Sequence, residues 1–143
     1  MPEIEYAFLA DAAQVGPGQK FHALGGGISR LSGPALPFVH PHLALVVGFR
    51  LSPAERNREY ALAFALTDPG GTEAATATGR VVARGPAEQG DIVINIVIDL
   101  WNLNLRVAGE HALRISIDGS ERKRLPLTVV QSPEAVPEQR YLA

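Results

Sequence analysis

The stretch "DIVINIVIDLW", Asp91 to Trp101, decides the fold class of this chain. Isoleucine stands at every second position from 92 to 98, and the residues between are Val93, Asn95 and Val97, followed by Asp99. An alternation of this kind is typical of a β-strand, because successive side chains of an extended chain point to opposite faces. Its many β-branched residues also favour a strand over a helix. We expect the isoleucine face to be buried and the face with Asn95 and Asp99 to meet solvent.

The same period of two recurs along the chain. It is seen from Ile4 onward, in "HLALVVGFRL" (residues 42–51), in "YALAFAL" (60–66) and in "GEHALRISIDG" (109–119). The side chains predicted to share a face within each strand are Ile4, Tyr6, Phe8 and Ala10; Leu43, Leu45, Val47, Phe49 and Leu51; Tyr60, Leu62, Phe64 and Leu66; and Leu113, Ile115 and Ile117.

Turn residues separate these segments, as at Asp68–Gly71 and at Asp118 with Gly119, and no long helical pattern is present. About 7–9 short strands with turns between them predict an all-β fold, an antiparallel immunoglobulin-like β-sandwich, with a closed barrel as the second choice. We expect one sandwich domain over residues 1–131. Residues 132–143, which carry two prolines and several charges, are expected to form a C-terminal tail.

Composition excludes several classes of protein. The chain has 143 residues, 46% of them hydrophobic and 20% charged, which suits one soluble globular domain. The absence of cysteine excludes disulfides, thiolate metal sites and cysteine nucleophiles. A net charge of -2 and the lack of a long apolar run predict no nucleic-acid partner and no membrane span. The acidic start of the chain also argues against a secretion signal, so we expect a cytoplasmic protein.

The pair His40 and His42 is the strongest chemical motif. On a regular extended chain the two imidazoles point the same way, as two ligands of one metal ion must. In cupins such a pair is followed by a glutamate, but residues 43–50 contain no acid, and His22 and His111 are the only other histidines. The pair is therefore a candidate metal site, with the alternative that His42 simply opens a strand at its polar end. No other cofactor is predicted.

Three further features are explained more simply by structure than by a binding function. Gly25, Gly26 and Gly27 lack the following helix that a phosphate-binding loop needs, and they fit a bulge or a close backbone crossing. The basic run 122–124 follows a turn and is typical of a solvated hairpin. Trp101, the single tryptophan, is expected in the core.

The strings "AFLADAAQ", "FHALGGGISRL", "HLALVVGFRLSPAERNREYALAFAL" and "GEHALRISIDG", in this order, resemble a family of small uncharacterised bacterial proteins. The likeness extends to about Val130. It implies a stand-alone β-sandwich of unknown function, and it carries over no catalytic residues. The closing hairpin is also similar to that of immunoglobulin-like domains, although His111 stands where an aromatic residue is common and the cysteine pair of true immunoglobulin domains is missing.

No complete set of catalytic residues is present, and strand edges are abundant. The leading hypothesis is therefore a non-enzymatic module that acts through association, either as a homo-oligomer or with a protein partner. The alternatives are a metal-binding protein or metal-dependent enzyme using His40 and His42, and a binder of a small ligand held between the sheets or beside the glycines.

Overall fold

The computed structural model describes residues 2–84 and 90–132, and within them the chain forms nine strands. The strands are β1 (Glu3–Val15), β2 (Phe21–Gly26), β3 (Arg30–Gly33), β4 (Phe38–Leu51), β5 (Glu59–Thr67), β6 (Glu73–Val82), β7 (Ile92–Leu105), β8 (Gly109–Ile117) and β9 (Ser120–Gln131). Two short 3-10 turns lie at Pro17–Gln19 and Pro53–Glu55. The predicted all-β fold is confirmed, and nine strands agree with the expected number.

The strands form two sheets. One has four strands in the order β2-β1-β4-β7, and the other has five in the order β3-β9-β8-β5-β6. All neighbours are antiparallel except β3 and β9, which run parallel and are the one departure from the predicted arrangement. β7 is therefore a sheet edge, and at 14 residues it is longer than the edge strands β2, β3 and β6.

The core lies between the two sheets and is built from the faces that the alternation predicts. Strand β4 contributes its odd-numbered residues from Leu43 to Leu51, each at most 1% exposed, and β5 contributes Tyr60, Leu62, Phe64 and Leu66. Strand β8 contributes Leu113, Ile115 and Ile117 from the middle of the five-stranded sheet. These strands have neighbours on both sides, which is why their inner faces are fully covered.

Truncating a core side chain tests this packing. Phe64 is 2% exposed, so Phe64→Ala is expected to lower the free energy of unfolding by about 3–5 kcal/mol through lost burial and the cavity left behind. Urea denaturation followed by circular dichroism measures the change. The matched control is Leu24→Ala, because Leu24 is 74% exposed and its loss is expected to cost less than about 0.5 kcal/mol. Equal effects of the two substitutions would contradict the assigned core.

Strand β1 does not keep one alternation throughout. Its register against β4 shifts between Ile4 and Tyr6, where Glu5 is the extra residue of a β-bulge. Ile4 packs on the core, whereas Tyr6 and Phe8 pair with Gly48 and Val46 on the outer face of the four-stranded sheet. The prediction that Ile4 shares a face with Tyr6 and Phe8 is therefore wrong, because a bulge reverses the faces of the residues that follow it.

Beyond Ala10, β1 leaves β4 and pairs only with β2, and the two form a hairpin that we call the arm (residues 10–26). The ring of Phe21 lies 5.9 Å from that of Tyr6 and 5.7 Å from that of Phe8, although Phe21 pairs with Val15. A straight strand would separate Phe8 from Val15 by more than about 20 Å. The arm must therefore fold back over the outer face of the four-stranded sheet, which explains why Val46 on that face is 0% exposed.

The predicted boundary between sandwich and tail lies at the end of the last described strand. β9 ends at Gln131, and the N–H of Ser132 donates to the carbonyl of Gly33 at 2.8 Å. The rest of the predicted tail, residues 133–143, lies outside the described residues. No helix in the ranges 2–84 and 90–132 is long and apolar enough to cross a membrane.

Candidate functional site: the free edge of strand β7

The ladder between β4 and β7 is interrupted once, where Pro41 faces Asn102. Proline has no N–H to donate, and Asn102 has a left-handed φ of 50°. Leu100 lies on the core side before the interruption, and Leu103 lies there after it. A regular strand would have placed residue 102 on that side, so the interruption reverses the faces of both strands.

This reversal separates the two histidines of the predicted metal site. His40 pairs with Leu103, which is 3% exposed in the core, and His42 pairs with Trp101, which is exposed. Directly opposite residues of an antiparallel pair share a face, so the two imidazoles lie toward opposite faces of the sheet. The expected common direction is therefore not found, because it assumed regular alternation through Pro41.

His42 has partners on the outer face. Its Nε2 lies 2.7 Å from Oδ1 of Asp99, and its ring stacks on Trp101 with the centroids 4.1 Å apart. His22 lies on the arm, and His111 is buried in the five-stranded sheet with Nδ1 3.2 Å from the carbonyl oxygen of Gly109. Among residues 2–84 and 90–132 no group of three or more histidine, aspartate or glutamate side chains stands ready to hold a metal ion. Metal binding by His40 and His42 stays a prediction, which elemental analysis of the purified protein and of the double alanine variant tests.

The prediction that Trp101 packs in the core is wrong, since 66% of this residue is exposed. It lies on the outer face of β7. The arm contacts this strand at Asn95, six residues before Trp101. The arm therefore leaves the indole uncovered, and His42 stacks on one of its faces.

The exposure of Trp101 is measurable directly because it is the single tryptophan. We expect red-shifted fluorescence that acrylamide quenches efficiently in the folded protein, and we expect His42→Ala to change the emission by removing the stacked ring. His22→Ala is the matched control, since that imidazole lies on the arm. A blue-shifted emission protected from acrylamide would contradict this placement.

Among residues 2–84 and 90–132, the side of β7 that faces away from β4 carries main-chain groups without a strand partner. The N–H of Asn95 points to this free side, because it donates to Oε1 of Gln19 at 2.8 Å. Alternate residues of an edge strand direct their N–H and C=O groups the same way, so those of Val93, Val97 and Asp99 also face outward. In the described part of the chain, Gln19 alone supplies a hydrogen bond to this side of β7.

The side chains of this edge are unusual for an unpaired strand. From Ile92 to Ile98 there is no charge and no proline, although natural edge strands commonly use such residues to block pairing with other chains. The four isoleucines pack against the core but are only half-buried, because no strand of the described residues lies beyond β7. The segment therefore combines unpaired main-chain groups with incompletely covered apolar side chains.

Asn95 connects this edge to the arm. Its side-chain Oδ1 accepts a hydrogen bond from the Tyr6 hydroxyl, and its Nδ2 donates to the carbonyl of Gln19 at 2.8 Å. The ring of Tyr6 lies over Gly48, where a Cβ atom would collide with it. The sequence did not indicate Gln19 as a functional residue, since contact between residues 19 and 95 arises only when the arm folds back.

Acidic residues paired with basic side chains stand at both ends of the apolar segment. Asp91 lies 3.6 Å from Nη1 of Arg50, which also binds Glu5 through two hydrogen bonds of 2.6 and 2.7 Å. These hydrogen bonds hold the pKa of Glu5 below its usual value. At the other end Asp99 is paired with His42.

The remaining sequence motifs occupy ordinary structural positions. The three glycines are followed by strand β3 rather than by a helix. In the basic run, Arg124 pairs with Glu121 at 3.1 Å and Arg122 donates to the carbonyl of Pro2 at 3.3 Å. An open depression of about 680 Å³ lies along the arm beside His22 and Leu24, and one of about 530 Å³ lies beside Arg114 and Arg124. The small-ligand hypothesis stays a prediction.

Fold and edge together define a two-sheet all-β domain in which the long edge strand β7 has one main-chain hydrogen bond from the arm on its outer side among the described residues. The chain belongs to a family of unknown function, DUF6941, whose model matches residues 5–130. This match confirms the resemblance to an uncharacterised family.

A comparison with curated proteins finds no match. Among solved structures the chain is similar to the Pseudomonas fluorescens alkylpurine DNA glycosylase AlkC, bound to DNA containing an abasic site analog, with a TM-score of 0.53 and 9% identity. The similarity covers 92% of this chain but only 30% of that one. At this identity the likeness shows the fold alone.

Proposed function

We propose that this chain acts without catalysis, as a β-sandwich module that associates with another protein chain by adding a strand to the free edge of β7. Strand addition is a recognised mode of protein association, in which main-chain hydrogen bonds supply affinity and alternate side chains supply specificity. The observation that supports the proposal most is the uncharged, proline-free segment 92–98 at a sheet edge. An immunoglobulin-like sandwich and a cytoplasmic location are part of the proposal, the latter supported by the absence of cysteine.

The physical gain comes from two sources. An added strand satisfies the outward N–H and C=O groups of β7 that water otherwise solvates, and it covers the exposed part of the four isoleucines. Each hydrogen bond contributes about 0.5–1.5 kcal/mol net, and apolar burial contributes about 25 cal/mol per Å². Several such contacts must together exceed the loss of translational and rotational freedom on association.

A proline in the free edge tests the proposal in its simplest form, which is association between copies. Val97→Pro removes an N–H that faces away from β4, so the sheet itself is expected to tolerate it. We expect reversible self-association of the wild type, measured by light scattering at increasing concentration, and its loss in Val97→Pro.

The matched control is Val97→Thr, which keeps the N–H and nearly the same shape and is therefore expected to associate. Circular dichroism checks that all three proteins fold. A wild type that stays monomeric at about millimolar concentration, where even weak pairs with Kd near 1 mM form, would contradict strand addition between copies. A folded Val97→Pro variant that associates as well as the wild type would contradict strand addition at the edge of β7.

A further inference from the structure

We infer that the partner strand is β7 of a second copy, paired antiparallel about a two-fold axis at Asn95, and that Gln19 of each chain competes for the same edge. This inference rests on the proposed function and adds to it the partner, the register and a means of control. The observations that carry it are the order of residues along the edge and the hydrogen bond from the Asn95 N–H to Gln19, the one main-chain bond on that side among the described residues.

Residues 91–99 read the same in both directions, as DIVINIVID. In an antiparallel pair centred on Asn95, every residue therefore faces one of its own type. Ile94 faces Ile96 of the second copy and Val93 faces its Val97, so apolar contacts are matched on both faces of the joined sheet. If the centre moves by one residue, to Ile96, then Asn95 faces a valine and so does Asp99. The register at Asn95 avoids these mismatches.

The main-chain geometry also permits this register. The N–H and C=O of Asn95 point to the free side, so Asn95 and its symmetry mate form a hydrogen-bonded pair that exchanges two N–H···O=C bonds. The joined sheet would then continue from the four strands of one copy into the four strands of the other.

The same register places Asp91 opposite Asp99 at both ends of the pair. Like charges directly opposite each other weaken a strand pair. Each carboxylate keeps a cationic or potentially cationic neighbour in its own chain, namely Arg50 for Asp91 and His42 for Asp99. The facing carboxylates at the two ends of the strand pair therefore lower the affinity of the dimer without preventing the pairing. Because a nine-residue strand pair buries less than about 1,200 Å², we expect a weak, reversible dimer with Kd of about micromolar magnitude.

Gln19 holds the centre of the edge in the monomer. Its Oε1 accepts the Asn95 N–H as the carbonyl of a partner strand would, and its own carbonyl accepts from Asn95 Nδ2. The dimer requires that the first of these bonds be released. The arm thus acts as an internal competitor, and a weaker arm contact favours the dimer.

A charge-reversal cycle tests the register. Asp91→Lys alone and Asp99→Lys alone each turn both end pairs from repulsive to attractive, and we expect each to tighten the dimer about 3- to 10-fold. The double variant restores like charges and is expected to return to near the wild-type affinity. Sedimentation equilibrium measures Kd, and Glu110→Lys on the other sheet controls for the change in net charge.

Removing the Gln19 side chain tests the competition. Gln19 has a positive φ of 63°, so Gln19→Gly suits the turn, and we expect it to tighten the dimer about 3- to 10-fold. Gln14→Ala, which removes an exposed glutamine of the same arm, is expected to have no effect. A Gln19→Gly variant that binds no tighter than the wild type would overturn the competition.

The outcomes separate this inference from the proposed function. If Val97→Pro abolishes association but the charge-reversal variants leave the dimer Kd unchanged, the register at Asn95 is overturned while the strand-addition proposal stands. Association that survives in Val97→Pro would overturn both.

Discussion

Every main-chain N–H and C=O in a sheet must find a partner, and a strand at the edge of a sheet finds partners on one side only. Strands β4, β5 and β8 lie inside their sheets, and their inner faces form the covered core. β7 also carries many apolar residues, but it has β4 on one side and, within the part of the chain that the structure describes, no strand on the other. The strand that the sequence indicates most clearly is therefore an edge strand, with its isoleucines only partly covered.

The arm partly satisfies the free main-chain groups of β7 from within the same chain. By folding back, it packs Phe21 against Tyr6 and Phe8 on the outer face of the four-stranded sheet, and its tip reaches Asn95. One glutamine side chain supplies one acceptor, whereas a strand supplies a series of donors and acceptors. The arm therefore covers the middle of the edge, and no other described residue supplies a main-chain partner to Val97 or Asp99 on that side.

Much of the fold was predictable from residue alternation alone. The core faces of β4, β5 and β8 were assigned correctly, because regular strands with two neighbours obey the period of two. The predictions failed where the period breaks, at the bulge at Glu5 and at the interruption between Pro41 and Asn102. The second break also explains why His40 and His42 do not share the expected direction, since it turns them to opposite faces. Pro41 is a local signal of an interrupted ladder, but the reversal of faces also depends on how the partner strand is paired.

The candidate site was only partly predictable. The sequence identified the strand 91–101 and an abundance of edges, but which strand becomes an edge depends on sheet order. Trp101 was assigned to the core on its size, and its exposure follows from where the arm ends. Gln19 had no signal in the sequence, because its contact with Asn95 joins residues 76 positions apart.

The distance between identical spin labels in the dimer tests the central claim most directly. The chain has no cysteine, so Asp99→Cys gives one labelling site per copy. Pairing about Asn95 offsets the two labels by eight residues along the joined strands. Double electron–electron resonance should therefore give a main label-to-label distance of about 27 Å. A distance near 13 Å, or none within the measurable range at concentrations where the protein is dimeric, would contradict pairing through β7 about Asn95.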